Sequence, residues 1–179
     1  MCGRFSLYTD RDLLVEAFGL AEVDPAFAPR WNIAPTQAVA VVPNEEPRRL
    51  RMMRWGFVPA WSKDPKPKPL INARADTAAE KPSFRTAFRE HRCLVLADGF
   101  YEWGVEGRER VPWHFRLRSG RPFAFAGLWE VWTPPGGVDP GLLRPLLAPY
   151  PADAMEAFPV SVAVNSASTD GPECLRPRQ

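Results

Sequence analysis

Residues 93–103, CLVLADGFYEW, carry the clearest fold signal in the sequence. The apolar run 93–98 stops at Gly99, which is typical of a buried β-strand, and the aromatic residues that follow favour a second strand at 100–104. Two more strands are predicted at 111–118 and 122–130, because glycine-containing turns at 106–108 and 119–121 separate them. This half of the chain is therefore predicted to form a β-sheet.

The residues before this stretch predict two short helices and one pair of strands. Thr9 is the expected N-cap of the first helix and Gly19 its end, and its apolar face would consist of Leu13, Leu14, Ala17 and Phe18. The second helix is predicted over about residues 82–91, with an apolar face of Phe84, Ala87, Phe88 and His91. Between the helices, strands at 38–43 and 49–55 flank the turn NEEP at 44–47.

The last part of the chain predicts short elements only. A Gly- and Pro-rich break at 134–141 leads to helical pieces near 142–147 and 152–158 and to a final strand at 160–164. No segment repeats, and no linker is long enough to divide the chain. We therefore predict a single compact α+β domain over residues 1–179, mostly β, with a barrel of mixed strands and short flanking helices.

The composition excludes several classes of protein. The chain has 179 residues, 45% apolar and 25% charged, which fits one globular domain with one core. No apolar run approaches the roughly 18–20 residues of a membrane helix, and MCGRF does not resemble a signal peptide. The three cysteines are widely spaced without a C-x-x-C motif, which argues against disulfides or zinc. We expect a cytoplasmic protein with no cofactor, no metal and no membrane partner.

The charge pattern leaves the choice of partner open. The net charge is only +2, but 19 of the 23 cationic side chains are arginine. Guanidinium groups suit phosphates better than ammonium groups do. A GC-rich genome would produce the same bias, so composition by itself does not decide whether the protein binds nucleic acid.

Cys2 is the most distinctive candidate for chemistry. Removal of Met1 before a small residue would leave Cys2 as the amino terminus, with its α-amine and thiol both partly available near neutral pH. Such a 1,2-aminothiol can form an imine with an aldehyde and then close a thiazolidine ring, or act as an N-terminal nucleophile on amides. The alternative is that Cys2 has no chemical role.

Two other segments carry candidate polar groups. Asn72 and Arg74 are two residues apart and would project to the same side of an extended segment. Glu102 lies between aromatic residues directly after a predicted strand, which makes it a candidate general acid or base. The alternatives are a turn and a surface ion pair for the first two, and a solvated strand residue for Glu102.

Five motifs in order make the chain resemble a known family. They are MCGRF at 1–5, RWNIAPT at 30–36, RWGFVPAW at 54–61, INAR at 71–74 and DGFYEW at 98–103, followed by PVS at 159–161 and VN at 164–165. Together they resemble the SRAP family, the SOS response-associated peptidases or abasic-site processing proteins. The likeness covers nearly the whole chain.

The resemblance implies a function and a set of site residues. Proteins of this family bind covalently, through the cysteine after Met1, to abasic sites in single-stranded DNA, which protects the damaged strand, and they process their own amino terminus. It implies Cys2 as the nucleophile, Asn72 as the amide that orients it and Glu102 as the acid/base. The implied DNA-contacting residues are Arg4, Asn32, Pro35, Trp61 and Arg74. It also implies a monomer that associates with the nucleoid when bound to DNA.

One motif of the family is missing. SRAP proteins carry a later His-x-Arg-Met-Pro sequence, whereas the only histidines here are His91 and His114, in other contexts. The domain therefore looks shortened near 133–141, where a strand, a loop and a helix are expected. Loss of a core strand predicts an exposed sheet edge or apolar surface. His114 is the remaining candidate for the missing group.

Two other functions stay open on the sequence. The first is a peptidase or amidohydrolase that uses Cys2 as its nucleophile. The second is a degenerate single-strand binder that has lost covalent capture. Only the second would retain the groove that suits single-stranded DNA.

Overall fold

The computed structural model describes residues 3–64, 66–130 and 147–178. These residues form ten strands: β1 Phe5–Leu7, β2 Glu22–Val23, β3 Arg30–Ile33, β4 Ala38–Pro43, β5 Arg49–Arg54, β6 Arg92–Ala97, β7 Gly99–Glu106, β8 Glu109–Leu117, β9 Phe123–Leu128 and β10 Met155–Pro159. The first sheet has the order β10-β8-β7-β1-β3, and the second has the order β2-β5-β4-β6-β9. Every pair is antiparallel except β2 with β5. The predicted mostly β, α+β fold class is confirmed.

The two sheets meet at Asp98, between β6 of the second sheet and β7 of the first. The backbone N–H of Asp98 donates to the carbonyl of Ser6 at 2.8 Å. Its buried carboxylate accepts from the backbone N–H of Thr9 at 2.7 Å and also from the Thr9 hydroxyl. These hydrogen bonds therefore hold the junction between β6 and β7 against the end of β1.

Gly99 follows Asp98 at a position where the ring of His114 comes so close to the backbone that no Cβ atom would fit. A Cβ atom on Gly99 would lie 2.4 Å from the ring of His114 in β8. The glycine that ends the predicted strand 93–98 thus gives room for a buried ring, in addition to marking the end of β6.

Two helices flank the sheets, α1 Arg11–Phe18 and α2 Arg85–Glu90. The expected N-cap Thr9 is wrong: Asp10 accepts the backbone N–H of Leu13, because the Thr9 hydroxyl is bound to Asp98. Gly19 ends α1 in the left-handed conformation with φ 61°, as predicted. Short 3₁₀ helices cover Ala152–Ala154, Val162–Asn165 and Pro172–Leu175. Within the described ranges, no helix is long and apolar enough to cross a membrane.

The described core has three clusters of buried side chains. The largest one involves both sheets and includes Phe5, Leu14, Val41 and Leu96. A second contains Tyr101 of β7 together with Val160, Val164 and Cys174. The last three belong to residues 160–178, which we call the C-terminal segment. The third holds Ala78, Phe84 and Phe88, the last of which lies in α2. All four residues predicted for the apolar face of the second helix, Phe84, Ala87, Phe88 and His91, are buried.

The C-terminal third differs from the expectation. Residues 152–158 were expected to be helical, but only Ala152–Ala154 are, and the rest belongs to β10, which pairs with β8. Instead of a strand at 160–164, Val160 makes one bridge with Pro177 and a 3₁₀ helix follows. Both outcomes depend on distant partners. The predicted helical piece at 142–147 and the predicted shortening at 133–141 fall almost entirely outside the described residues.

Candidate functional site

The ladder between β1 and β7 directs the start of the chain toward Glu102. Phe5 pairs with Phe100 and Ser6 with Gly99. The pairing continues one step, because the backbone N–H of Tyr101 donates to the carbonyl of Arg4 at 2.9 Å. The chain before Arg4 is therefore directed along β7 toward the position of Glu102. Cys2 itself lies outside the described residues, and its neighbour Gly3 is the first that the structure describes.

Glu102 and His114 lie on opposite faces of the first sheet. Directly opposed residues of an antiparallel pair share a face, and successive residues alternate. Glu102 opposes Trp113, whereas Tyr101 opposes His114. His114 therefore shares its face with Tyr101 and not with Glu102. The hypothesis that His114 replaces the missing family histidine beside Glu102 is wrong for this arrangement.

His114 is instead part of the buried interior. Its side chain is fully buried, its Nε2 lies 3.0 Å from the Ser6 hydroxyl, and its ring centroid is 4.8 Å from that of Tyr101. Burial and, to a smaller extent, the nearby positive charge of Arg116 together lower the pKa of His114 to about 4. At neutral pH the ring is thus uncharged.

Arg4 is turned toward the C-terminal segment. Its Nη1 donates to Asn32 Oδ1 at 2.7 Å and to the carbonyl of Val164 at 2.6 Å. The guanidinium carbon also lies 5.8 Å from the ring centroid of Trp103, within cation–π distance. Its predicted contact with DNA stays a prediction, and in this structure Arg4 joins β1 to the C-terminal segment.

Asn32 holds the same segment from β3. Its side chain is fully buried, and Nδ2 donates to the carbonyls of Ser166 at 2.8 Å and Thr169 at 2.6 Å. The adjacent carboxylate of Asp170 accepts from the backbone N–H groups of Trp31 at 2.7 Å and Asn32 at 2.9 Å. A direct contact of the Asn32 side chain with DNA would require this segment to move away.

Asn72 lines a cavity of about 830 Å³ that reaches both sheets. Phe5 of β1 lines the same cavity, as do Val39 of β4 and Phe125 of β9. The segment that carries Asn72 is attached to the preceding motif, because Trp55 Nε1 donates to the carbonyl of Ile71 at 2.8 Å. The structure thus places Asn72 in the lining of the same cavity as Phe5 of β1.

The remaining predicted DNA contacts lie at or near the surface. Trp61 is 63% exposed and borders the polar loop 62–69. Arg74 is exposed and forms a two-bonded ion pair with Asp76, at 3.1 and 2.7 Å. Pro35 is half-buried in a turn in which the backbone N–H of Gln37 donates to the carbonyl of Ala34. Their contacts with DNA stay predictions.

The two described cysteines are unsuited to nucleophilic attack. Cys93 is buried, and desolvation raises its pKa to about 12. Cys174 is fully buried, and burial also raises its pKa. Since the thiolate is the reactive form, neither can compete with an amino-terminal cysteine. Among the described residues, no group of three or more side chains is placed to hold a metal ion.

Sequence reasoning missed the residues that hold the C-terminal segment. Trp103 Nε1 donates to Asn165 Oδ1 at 2.7 Å, and Asp170 forms an ion pair with Arg30. The partners of each pair are separated by 62 and 140 residues in the chain. No local pattern identifies such pairs, although Asn165 was part of a motif that resembled the family.

These features define a class of two-sheet β proteins in which the first strand pairs with a strand that carries a candidate catalytic carboxylate. The family model for SOS response associated peptidase (SRAP) matches residues 1–140. The chain therefore belongs to the SRAP family.

Several relatives are named as abasic site processing proteins. YoqW of Bacillus subtilis is 35% identical over 221 residues, which cover 98% of this chain and 99% of the relative. YedK of Escherichia coli is 34% identical over 134 residues, covering 72% and 59% of the two chains. HMCES of Rattus norvegicus is 28% identical and covers 99% and 76%. The alignment with YoqW is longer than the 179 residues of this chain, so YoqW contains residues with no counterpart here.

Solved structures share the fold. A protein of Bacteroides thetaiotaomicron superimposes with a TM-score of 0.82 at 17% identity, covering 99% of this chain and 100% of that one. A protein of Bordetella bronchiseptica superimposes with a TM-score of 0.71 at 20% identity, covering 90% and 100%. At these identities the likeness concerns the fold.

Proposed function

We propose that this protein captures abasic sites in single-stranded DNA by forming a covalent bond through Cys2. The observation that carries the proposal is the β1–β7 ladder, which directs Gly3, the first described residue, toward Glu102. Membership of the SRAP family and the names of the relatives support the choice of substrate.

The chemistry follows from the groups of an amino-terminal cysteine. After Met1 is removed, the Cys2 amine adds to the aldehyde of the ring-opened abasic sugar, and loss of one water gives an imine. The Cys2 thiol then adds to the imine carbon, and its proton goes to the nitrogen. The product is a thiazolidine, which contains all atoms of both reactants except that water. Both steps need a thiol and an amine near neutrality, which the pKa values of these groups allow.

Glu102 and Asn72 have supporting roles in this proposal. Glu102 exchanges protons with the sugar oxygen and with the carbinolamine that loses water, as a general acid and base does. Asn72, which lines the same cavity as Phe5, orients Cys2. Neither residue supplies the bond-forming electron pair, so their loss should slow capture and not prevent it.

The DNA-contacting surface in this proposal surrounds the loop 62–69. Trp61 offers an exposed ring for stacking on a base, and Lys63, Lys66 and Lys68 follow it in the sequence. Arg74 contributes a phosphate contact that must compete with its ion pair to Asp76. Stacking and phosphate contacts of this kind favour single strands and carry little sequence preference.

The experiment compares one oligonucleotide with and without an abasic site. Protein shown by intact mass to lack Met1 is incubated with a single strand whose uracil has been removed by a glycosylase, and is then analysed on a denaturing gel. A band with the mass of protein plus DNA minus one water is the expected result. Cleavage of peptides without such a band would favour the N-terminal-nucleophile peptidase. Salt-sensitive binding without a band would favour the degenerate binder.

A further inference from the structure

The cavity that Asn72 lines contains many aromatic rings. Six of its described lining residues are aromatic, namely Phe5, Trp55, Phe57, Phe84, Phe125 and Trp129. Its volume of about 830 Å³ lies in the range of small-molecule sites. The cavity therefore has the size and the lining of a site for a flat ring.

Hydrogen bonds and ring contacts hold several of these aromatic side chains in place. Trp129 Nε1 donates to the carbonyl of Arg92 at 3.1 Å, as Trp55 Nε1 does to Ile71. Phe5 and Trp55 meet edge to face with centroids 5.3 Å apart. Because both indole N–H groups are occupied, the two tryptophans offer a ligand their ring surfaces and no free donor.

Few of the described residues that line the cavity have polar side chains. Among its described lining residues, Arg54 is the single cation and Glu130 the single carboxylate, and Ser62 and Asn72 are neutral. Arg54 ends β5 and is exposed, whereas Glu130 is half-buried and accepts the backbone N–H of Ala60. These positions would suit a ligand whose anionic group contacts the exposed Arg54 while its flat ring lies inside the cavity.

We propose that this cavity receives the nucleobase next to the abasic site, with the adjoining phosphate on Arg54. The inference rests on the proposed function, in which the abasic nucleotide is bonded to Cys2 and Asn72 orients Cys2. Asn72 also lines this cavity. A base beside an abasic site has lost one stacking neighbour, so turning it out of the strand costs less than for an ordinary base. Glu130 accepts a hydrogen bond from an exocyclic amine, which favours adenine, cytosine or guanine over thymine.

Binding measurements with non-reactive strands test the proposal directly. The first oligonucleotide carries one tetrahydrofuran abasic analogue with adenine next to it, and the second replaces that adenine by another tetrahydrofuran. Both have the same phosphates, so their affinity ratio reports the base. We expect the adenine strand to bind about tenfold more tightly, as one stacked base typically contributes. Thymine in place of adenine should give a smaller ratio.

A pair of matched variants locates the effect. Val58 lines the cavity and is half-buried, whereas Val105 is 73% exposed in the β7–β8 hairpin. Val58→Trp should fill the cavity and reduce the affinity ratio to about one, and Val105→Trp should leave it unchanged. 2-Aminopurine at the neighbouring position should lose fluorescence when the wild type binds and not when V58W binds, because stacking on the rings quenches it.

The outcomes separate this inference from the proposed function. If both strands bind equally well to the wild type, the cavity does not receive the base, although the protein still binds abasic DNA. If V58W retains the tenfold ratio, the base is held elsewhere. If neither strand binds, the proposed function fails first. Displacement of the adenine strand by an apolar tripeptide would show that the cavity takes a peptide side chain and would overturn the inference.

Discussion

Glu102 and His114 are one position out of register across the β7–β8 ladder, and their side chains consequently lie on opposite faces of the first sheet. Glu102 lies on the face of Phe100, whose partner Phe5 lines the cavity. His114 lies on the face of Tyr101, below the C-terminal segment. A one-residue difference therefore separates a candidate catalytic carboxylate from the histidine closest to it in the ladder.

Covalent capture should be slow in this protein. A histidine acid/base typically contributes about 10²–10⁴-fold in rate, and His114 cannot act beside Glu102. We expect abasic DNA to be captured over hours, with Glu102→Gln removing most of the remaining rate. A time course on ring-opened and ring-closed abasic analogues measures this. Fast capture that E102Q leaves unchanged would show that another residue performs the proton transfers.

Cys2→Ala should abolish the covalent band and leave the affinity for a tetrahydrofuran strand nearly unchanged. Cys2→Ser should retain only a reversible imine through its amine, because a hydroxyl is a much weaker nucleophile than a thiol. Cys93→Ala is the control, since desolvation raises the pKa of that buried thiol to about 12. A Cys93→Ala protein that is folded but cannot form the adduct would contradict the assignment.

Arg74→Ala should weaken binding to single-stranded DNA about equally for all sequences. Loss of one phosphate contact should also reduce the slope of log affinity against log salt by about one. Arg48→Ala is the matched control, because this exposed arginine hydrogen-bonds to the carbonyl of Gly19 beside α1. Equal effects of the two variants, measured by fluorescence anisotropy over a salt series, would assign the loss to net charge only.

The buried His114 should make the protein less stable in mild acid. Its pKa is about 4 in the folded protein and 6.5 ordinarily, so the unfolded chain binds a proton first as the pH falls. The free energy of unfolding should therefore decrease between about pH 6.5 and pH 4, by up to about 3 kcal/mol from this group. Urea unfolding at a series of pH values measures the decrease.

His114→Gln supplies the comparison for that pH series. The variant should be less stable at pH 7, but its stability should fall less between pH 6.5 and 4 than that of the wild type. Burial raises the pKa of Asp98, which acts in the opposite direction at low pH and is present in both proteins. The difference between the two proteins therefore isolates His114, and parallel pH profiles would refute its assignment.

Asn32→Ala should loosen the C-terminal segment. The substitution removes the donors to Ser166 and Thr169 and the acceptor of Arg4. Unsatisfied buried polar groups cost about 1–3 kcal/mol each, so we expect a loss of about 2–4 kcal/mol in the free energy of unfolding. Faster proteolysis within residues 166–170 should accompany it. Asn44→Ala, at an exposed position, should cost clearly less.

The sequence by itself determined the locally encoded features. Strand β4 has the predicted bounds, because its run of valine and alanine ends at the polar turn 44–47. Strand β5, which follows that turn, ends one residue before its predicted end. Gly19 and Gly107 adopt positive φ angles at the predicted helix end and turn, since glycine has no Cβ atom to oppose them. Ordered motifs indicated the family, and the family model confirms it.

Only the tertiary structure decided how distant segments meet. β1 has three residues, too few to show a periodicity, yet it lies between β3 and β7 in the first sheet. β10 is a strand because β8 offers it a partner, and Asn32 and Asp170 meet across 138 residues. The aromatic cavity also arises from such pairings, because its lining residues come from both sheets. Their energies come from contacts between distant parts of the chain, which local propensities do not contain.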